Sequence, residues 1–284
     1  MKGHVTQYMG DIWHRLDNAP ALALFLDFDG TLAPTVSHPN EACLDALTQK
    51  RLLALSTCPD VLLAIISGRE ILDLRGRVNL PDIVYAGNHG LEISGPHCAY
   101  VEPGALEHRG DLKELAESLA KRLAGIRGAW VEDKGLTASV HFRNVAEESV
   151  EETRRLVHAT LANCSHPFQL TPGDHVFDIR PRVYWNKGQA VSWIRAQAAA
   201  PGALALYIGD DVSDEDAFAV LADDITIKVG ASPETVAHYQ LHDTDEVQEF
   251  LGWLATSMER RAISSRGQAD ECARYSLVQG RRFL

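Results

Sequence analysis

The sequence contains few cysteines, and their spacing matches no common metal or redox motif. There are five of them, an odd number, without a Cys-x-x-Cys pair: Cys43, Cys58, Cys98, Cys164 and Cys272. This spacing favours reduced thiols over a disulfide framework or a zinc site. The sequence also has no apolar run of about 18 residues, no basic leader followed by an apolar stretch, and no internal repeat. We therefore expect a cytoplasmic protein that does not span a membrane.

Positive charge is also in short supply. The 27 Lys and Arg residues face 39 Asp and Glu residues, and the net charge is −12. Nucleic-acid binding needs a basic face that displaces counterions, so no nucleic-acid partner is expected. The 45% hydrophobic and 23% charged residues are ordinary for a globular protein of 284 residues, which is one large or two small domains. A chain this acidic must supply positive charge locally if it binds an anion. Oligomeric state is not indicated.

Four short apolar segments predict strands that are buried on both faces. They cover residues 21–26, 61–66, 83–86 and 204–208, and helical periodicity follows the first of them over residues 40–55. Buried strands that alternate with helices are typical of a doubly wound, mainly parallel α/β sheet. In such sheets ligands bind beyond the carboxyl ends of the strands. Polar residues directly after these segments are therefore the first candidates for a functional site.

The segment Asp27-Phe28-Asp29-Gly30-Thr31 follows the first predicted strand. An Asp-Gly turn is the simplest alternative. At residue frequencies of roughly 5%, however, this string would occur by chance about once in ten thousand chains of this length. It resembles the first motif of the haloacid dehalogenase-like phosphotransferases. The resemblance implies that Asp27 forms an aspartyl-phosphate, that Asp29 is the general acid and base, and that Thr31 binds phosphoryl oxygens.

Three later segments match the remaining motifs of that superfamily in order. Ser67 follows the second strand, although a helix N-cap is the alternative for a serine there. Lys187 opens a helix, where a cation is unfavourable toward the macrodipole. Asp210 ends the fourth strand, before a Ser213/Asp216 pair with capping-box spacing. The resemblance implies phosphate binding by Ser67 and Lys187. It also implies a Mg²⁺ ion held by Asp27, Asp29 through its backbone carbonyl and Asp210, with Asp214 acting on the ion indirectly, through water or through a direct ligand.

Residues 104–179 interrupt the strand and helix rhythm. Helical spacing over 105–123 and 147–161, apolar and polar alternation over 136–143, and short strands at 168–170 and 176–179 predict a compact α+β unit. We interpret it as a cap inserted into a Rossmann-like haloacid dehalogenase core made of residues 1–103 and 180–284. The tail 257–284 is expected to be mobile or variably docked, and we assign it no function.

Two polar segments narrow the resemblance to the trehalose-6-phosphate phosphatases. They are Gly-Asn-His-Gly-Leu-Glu at 87–92 and the stretch 130–143. A solvated turn and a water-facing strand are the simpler alternatives, and we interpret Asp133 and Thr137 in that way. The sequence departs from the family pattern at Asp174, where the family has a basic residue, and at Asp178, where it has Glu. The resemblance implies substrate contacts from these residues: Asn88, His89, Glu92, Glu132, Lys134, His141 and Arg143.

Together these features predict a Mg²⁺-dependent phosphatase for a small-molecule sugar phosphate, trehalose 6-phosphate. Another sugar phosphate, such as sucrose phosphate or mannosylphosphoglycerate, is one alternative. A catalytically silent regulatory domain of sugar metabolism is the other.

Overall fold

The structure, a computed structural model, describes residues 3–36, 38–96, 98–164, 168–173 and 175–280, with side chains up to residue 264. The departure from the family pattern at Asp174 therefore lies outside the described residues. No helix in these ranges is both long and apolar enough to cross a membrane.

The strands of the described residues form two separate sheets. One has nine strands in the order β1-β13-β12-β11-β2-β3-β4-β5-β6, and the other has four in the order β7-β8-β10-β9. Pairing is parallel from β1 to β4 and antiparallel along β4-β5-β6 and throughout the four-stranded sheet. The strands are β1 Gly3–His4, β2 Leu22–Leu26, β3 Val61–Ile66, β4 Val84–Gly87, β5 Glu92–Gly95, β6 Cys98–Val101, β7 Trp130–Asp133, β8 Ala138–His141, β9 Phe168–Gly173, β10 Val176–Pro181, β11 Leu204–Gly209, β12 Ile225–Val229 and β13 Tyr239–Leu241.

Helices connect the parallel strands and cover both sheets. They are α1 Met9–Asn18, α2 Ala46–Ser56, α3 Ile71–Val78, α4 Pro103–Glu107, α5 Arg109–Leu123, α6 Glu147–Ala162, α7 Lys187–Ala198, α8 Glu215–Val220 and α9 Thr244–Gly280. Asp45 caps α2, since its side chain accepts from the amides of Leu47 and Thr48 at 2.8 and 3.0 Å. The helix predicted from residue 40 therefore begins later.

The central strand β2 shows why the nine-stranded sheet is buried on both faces. Leu22, Leu24 and Leu26 pack into one apolar cluster, while Ala23 and Phe25 pack into another on the opposite face. Successive side chains of a strand point to opposite faces, so an uninterrupted apolar run suits a sheet covered twice. The predicted doubly wound, mainly parallel α/β fold is confirmed.

The four-stranded sheet has its own apolar cluster beneath α5 and α6. Leu119, Val140, Val157 and Phe177 are buried there. The alternation over residues 136–143 predicts the buried face of this sheet, but the regular strand is shorter and covers Ala138–His141. The division into a core and a cap at residues 104 and 179 stays a prediction.

Part of the C-terminal tail packs on the nine-stranded sheet. Helix α9 continues to Gly280, and Met258 is buried in the cluster that contains Leu24. Arg261 donates to the carbonyl of Leu16 at 2.7 Å. Residues 257–261 are therefore docked against α1.

Candidate active site

Asp27 lies at the carboxyl end of β2 and is almost fully buried. Only 4% of its surface is exposed, and Lys187 Nζ donates to its Oδ1 at 2.6 Å. Burial raises the pKa of Asp27 well above its usual value, and Lys187 opposes that rise. Burial alone would lower the pKa of Lys187, but the charges of Asp214 and Asp27 outweigh it and raise that pKa. Asp27 and Lys187 therefore form a buried ion pair at the carboxyl end of β2.

Asp214 also bonds to the ammonium group of Lys187. Nζ donates to Asp214 Oδ1 at 2.7 Å, and the same oxygen accepts from Tyr207 Oη at 2.7 Å. Asp214 Oδ2 accepts from the amide of Asp211 at 2.8 Å. Both oxygens of Asp214 are thus bonded to protein donors, and their arrangement orients the lysine toward Asp27. The predicted Ser213/Asp216 capping box is wrong, because Asp211 precedes the turn and bonds to Asp214.

Asp210 directly follows β11, and its carboxylate lies close to that of Asp27. Its Oδ1 accepts from the Thr31 hydroxyl at 3.3 Å. Burial, with the charge of Asp214, raises the pKa of Asp210 to about 6. Gly30 makes this approach possible: its φ is +81°, and a Cβ there would lie 2.0 Å from Asp210 Oδ2.

One group of acids here has the donor chemistry of a divalent-cation site. Carboxylate oxygens of Asp27, Asp210 and Asp214 lie within 4.8 Å of one another. Hard oxygen donors at one strand edge fit Mg²⁺, which prefers carboxylates completed by water and phosphate. Since both oxygens of Asp214 already accept hydrogen bonds from protein donors, Asp27 and Asp210 are better placed to bind an ion directly. A second group, His4, His242 and Glu246, lies where β1 meets the start of α9.

Asp29 is turned toward a residue that the motifs did not single out. Its carboxylate accepts from Arg69 Nε and Nη2 at 2.7 and 2.6 Å, and 41% of the side chain is exposed. Arg69 is itself nearly buried and also pairs with Asp73 at 2.9 Å. A planar guanidinium suits such bidentate pairing. The structure therefore adds Arg69 to the site, as the residue that holds the side chain of Asp29.

The loop after β3 adds a buried hydroxyl to the same edge. Ser67 is buried, and its Oγ accepts from the amide of Arg69 at 3.2 Å. The N-cap of α3 is Glu70, so the alternative interpretation of Ser67 as that cap is wrong. The serine therefore lies in the loop beside Asp27 and Lys187, with which it lines one cavity.

That cavity, of about 270 Å³, lies between the two sheets. The nine-stranded sheet and its loops contribute Asp27, Asp29, Ser67, His89, Lys187 and Asp210 to its lining. The four-stranded sheet contributes Glu132, Lys134, His141, Arg143 and Asp178. Most of the residues predicted from scattered segments therefore meet at one cavity.

The polar face of the four-stranded sheet is a linked set of charges. His141 Nε2 lies 2.8 Å from Glu132 Oε2, and Lys134 Nζ is 4.0 Å from the same oxygen. Burial alone would raise the pKa of Glu132, but these two partners outweigh it and lower that pKa. The ring of Trp130 stacks on His141 at 4.1 Å and on His38 at 5.2 Å. This arrangement presents fixed charges toward the cavity.

Asp178 and His89 lie close together in the lining of the cavity. His89 Nε2 and Asp178 Oδ2 are 4.0 Å apart, and Lys134 Nζ is 3.8 Å from Asp178 Oδ1. Ser139 also donates to Asp178. Burial lowers the pKa of His89 to about 3, and its buried Nδ1 has no hydrogen-bond partner among the described residues. Asp178, known from the sequence only as a departure from the family pattern, is thus part of the lining.

Four predicted site residues do not line the cavity. Thr31 bonds to Asp210, and Asp214 bonds to Lys187. Asn88 and Glu92 bond to each other at 2.7 Å. These four residues hold other residues of the site in place. The interpretation of Thr137 as solvated is wrong: it is 1% exposed and bonds to Asn88. Asp133 is exposed, as expected.

Tyr207 and Lys228 also support the site, although no motif indicated them. Tyr207 lies in the buried strand β11, where an apolar run gives no reason to expect a polar role. Lys228, in β12, donates to the backbone carbonyl of Asp210. A lysine inside a buried strand is unusual, and that was the available signal.

The fold and the site match a known family. The trehalose-phosphatase family model matches residues 25–247. The chain is 36% identical over 250 residues to a trehalose-phosphate phosphatase of Mycobacterium marinum, covering 84% of this chain and 63% of that protein. It is 37% identical over 253 residues to an uncharacterized glycosyl hydrolase of Mycobacterium tuberculosis, covering 84% of this chain and 18% of that protein. The C-terminal domain of Candida albicans trehalose-6-phosphate phosphatase has a similar fold, with a TM-score of 0.74, 21% identity, and coverage of 90% of this chain and 98% of that one.

The nine-stranded, mainly parallel sheet and the acids at its edge define the class of the protein, a doubly wound α/β protein. More narrowly, the chain belongs to the trehalose-phosphatase family, and the resemblance deduced from its motifs is confirmed. It spans less than two thirds of the length of these two curated relatives.

Proposed function

We propose that this chain hydrolyses trehalose 6-phosphate to trehalose and phosphate, through an aspartyl-phosphate on Asp27. The carrying observation is the buried pair of Asp27 and Lys187, 2.6 Å apart at the end of β2, in a cavity whose other wall is a polar sheet face. A buried carboxylate beside an ammonium suits covalent phosphoryl transfer, in which positioning and charge neutralisation supply most of the catalysis.

The reaction has two displacements. In the first, an Asp27 oxygen forms a bond to phosphorus while the bond from phosphorus to the sugar oxygen breaks, and Asp29 gives its proton to that oxygen. In the second, water attacks phosphorus, Asp29 accepts a proton from the water, and the bond to Asp27 breaks. The Arg69 ion pair matches the ionised Asp29 that the second step requires, and the first step requires that this pair open.

Lys187 and Ser67 hold phosphoryl oxygens during both displacements. Asp27, Asp210 and the backbone carbonyl of Asp29 are the proposed ligands of Mg²⁺, which when bound neutralises the phosphate and orients it for in-line attack. Asp214 acts through Lys187, to which it is bonded.

The sugar end of the substrate is assigned to the four-stranded sheet. Glu132, Lys134, His141 and Arg143 line the cavity there and offer donors and acceptors for hydroxyl groups. We assign residues 104–179 to a cap domain that excludes water when it closes over a core of residues 1–103 and 180–284. Asp178 takes the place of a longer acid, and the bond from Ser139 fixes its shorter side chain.

A panel of sugar phosphates, assayed for phosphate release with and without Mg²⁺, tests the proposal. We expect release from trehalose 6-phosphate that a chelator abolishes, and none from Asp27→Asn. Asp17→Asn, an exposed residue of α1, is the matched control and should keep full activity. Preference for another ester would overturn trehalose 6-phosphate as the substrate, and normal activity of Asp27→Asn would overturn Asp27 as the nucleophile. A wild-type protein inert toward every ester would favour a regulatory domain.

A further inference from the structure

Asn88 is a buried junction between three segments of the cavity wall. It is 0% exposed, and its Nδ2 donates to Glu92 Oε1 at 2.7 Å and to the carbonyl of Lys134 at 3.0 Å. Its Oδ1 accepts from the hydroxyl of Thr137 at 2.5 Å. Its backbone amide donates to the carbonyl of Arg69 at 2.7 Å. With both amide hydrogens and Oδ1 bonded to protein, Asn88 is a structural connector.

The turn that joins β7 to β8 is fixed against this connector. The amide of Lys134 donates to the carbonyl of Thr137 at 2.9 Å, which closes the turn. Leu136, at its tip, is buried with Leu91 and Ala105. Thr137 supplies the only side-chain hydroxyl from the described part of this turn, and it reaches Asn88 across the boundary between the two sheets.

Residues beside this connector also bond to the loop at the phosphate end of the cavity. The amide of His89 donates to the carbonyl of Ser67 at 2.8 Å. Lys134 Nζ donates to the carbonyl of Gly68 at 3.2 Å, one residue beyond Ser67. The loop that carries Ser67 and the turn that carries Lys134 are therefore both bonded to residues 88 and 89.

We propose that Thr137 is a positioning residue that determines substrate specificity. Through Asn88 it fixes the separation between the phosphate-binding loop and the sugar-binding face, and so favours phosphate esters of a large sugar over small ones. This inference rests on the proposed function. A small ester needs only the phosphate end, so it should not respond to the loss of the Thr137 hydroxyl.

The test compares Thr137→Val with wild type on trehalose 6-phosphate and on p-nitrophenyl phosphate. Valine keeps the shape of threonine and leaves Asn88 Oδ1 without this donor. We expect KM for trehalose 6-phosphate to rise about tenfold, the effect of losing one buried hydrogen bond. Activity on p-nitrophenyl phosphate should stay within about twofold of wild type. Thr137→Ser retains the hydroxyl and should restore KM.

Thr153→Val is the matched control, because it removes an equally buried hydroxyl that bonds within its own helix, α6, to the carbonyl of Ser149 at 2.9 Å. Thr153→Val should leave KM and activity unchanged for both substrates. If Thr137→Val fails to fold, Thr137→Ala replaces it. An unchanged KM, or equal losses on both substrates, overturns the inference.

The two proposals fail in different ways. A wild-type protein that prefers another sugar phosphate overturns the proposed substrate, and the same variants assayed on that ester then decide the role of Thr137. A wild-type protein inert toward all esters overturns both.

Discussion

His89 should make folding stability depend on pH across the mildly acidic range. The residue is 8% exposed, and burial holds the pKa of its side chain at about 3. Asp178 opposes this effect, whereas Arg180, Lys187 and Lys134 reinforce it. In the unfolded chain a histidine has a pKa of about 6.5. Between these values the unfolded state binds a proton that the folded state does not.

The sign and size follow from linkage. Since the unfolded state binds more protons between about pH 3 and 6.5, stability is full above 6.5 and falls as the pH is lowered. From pH 8 to pH 5 the loss due to His89 is about 2 kcal/mol, from one group with an unfolded pKa of about 6.5. The contributions of other titrating groups to the free energy of unfolding cancel when a variant is compared with wild type at each pH.

The perturbation is His89→Asn, because φ at this position is +58° and asparagine tolerates the left-handed region. Urea unfolding at pH 8, 7, 6 and 5 measures the free energy of unfolding of both proteins. The wild-type protein should lose about 2 kcal/mol more than the variant between pH 8 and 5. His14→Asn, which removes an exposed histidine of α1, should follow the wild-type profile. Parallel profiles of wild type and His89→Asn would refute the reasoning.

Three further changes test other parts of the molecule. Tyr207→Phe removes the buried bond to Asp214 and should lower the free energy of unfolding by about 1–3 kcal/mol in urea titration; no loss would mean that this bond does not stabilise the fold. Leu119→Ala leaves a cavity under the four-stranded sheet and should lower the free energy of unfolding by about 2–5 kcal/mol. Relative to wild type, amide exchange should accelerate more in β8 than in β2; equal acceleration in both strands would contradict a separate apolar core. Asp45→Ala removes the cap of α2 and should cost about 1 kcal/mol in thermal unfolding, whereas Asp45→Asn should cost less; equal costs would show that capping is not the cause.

Prediction from the sequence worked best where chemistry and local structure coincide. Asp27, Ser67 and Asp210 each follow a buried apolar strand, and parallel strands bring their carboxyl ends to one edge. Position in the chain was therefore enough to predict that these residues meet. Alternation along residues 138–141 likewise predicts that Ala138 and Val140 join the apolar cluster of the four-stranded sheet, although Ser139 on the opposite face is buried as well.

Prediction was poorer where a residue's partners come from distant segments. Thr137 looks like a solvated turn residue, but Asn88, 49 positions away, buries and bonds it. Arg69 reads as a turn residue after a strand, but it holds Asp29. Such contacts leave no period or spacing in the sequence.

The sequence by itself determined the sheet class, the family and the acids at its edge, because strand periodicity and motif order are local properties. Only the tertiary structure decided which of those residues face the cavity and which support them. It assigned Asp214 to Lys187, Thr31 to Asp210 and Asn88 to the turn at Thr137. The physical reason is that burial leaves a polar side chain without water, so its partners are set by what packs against it.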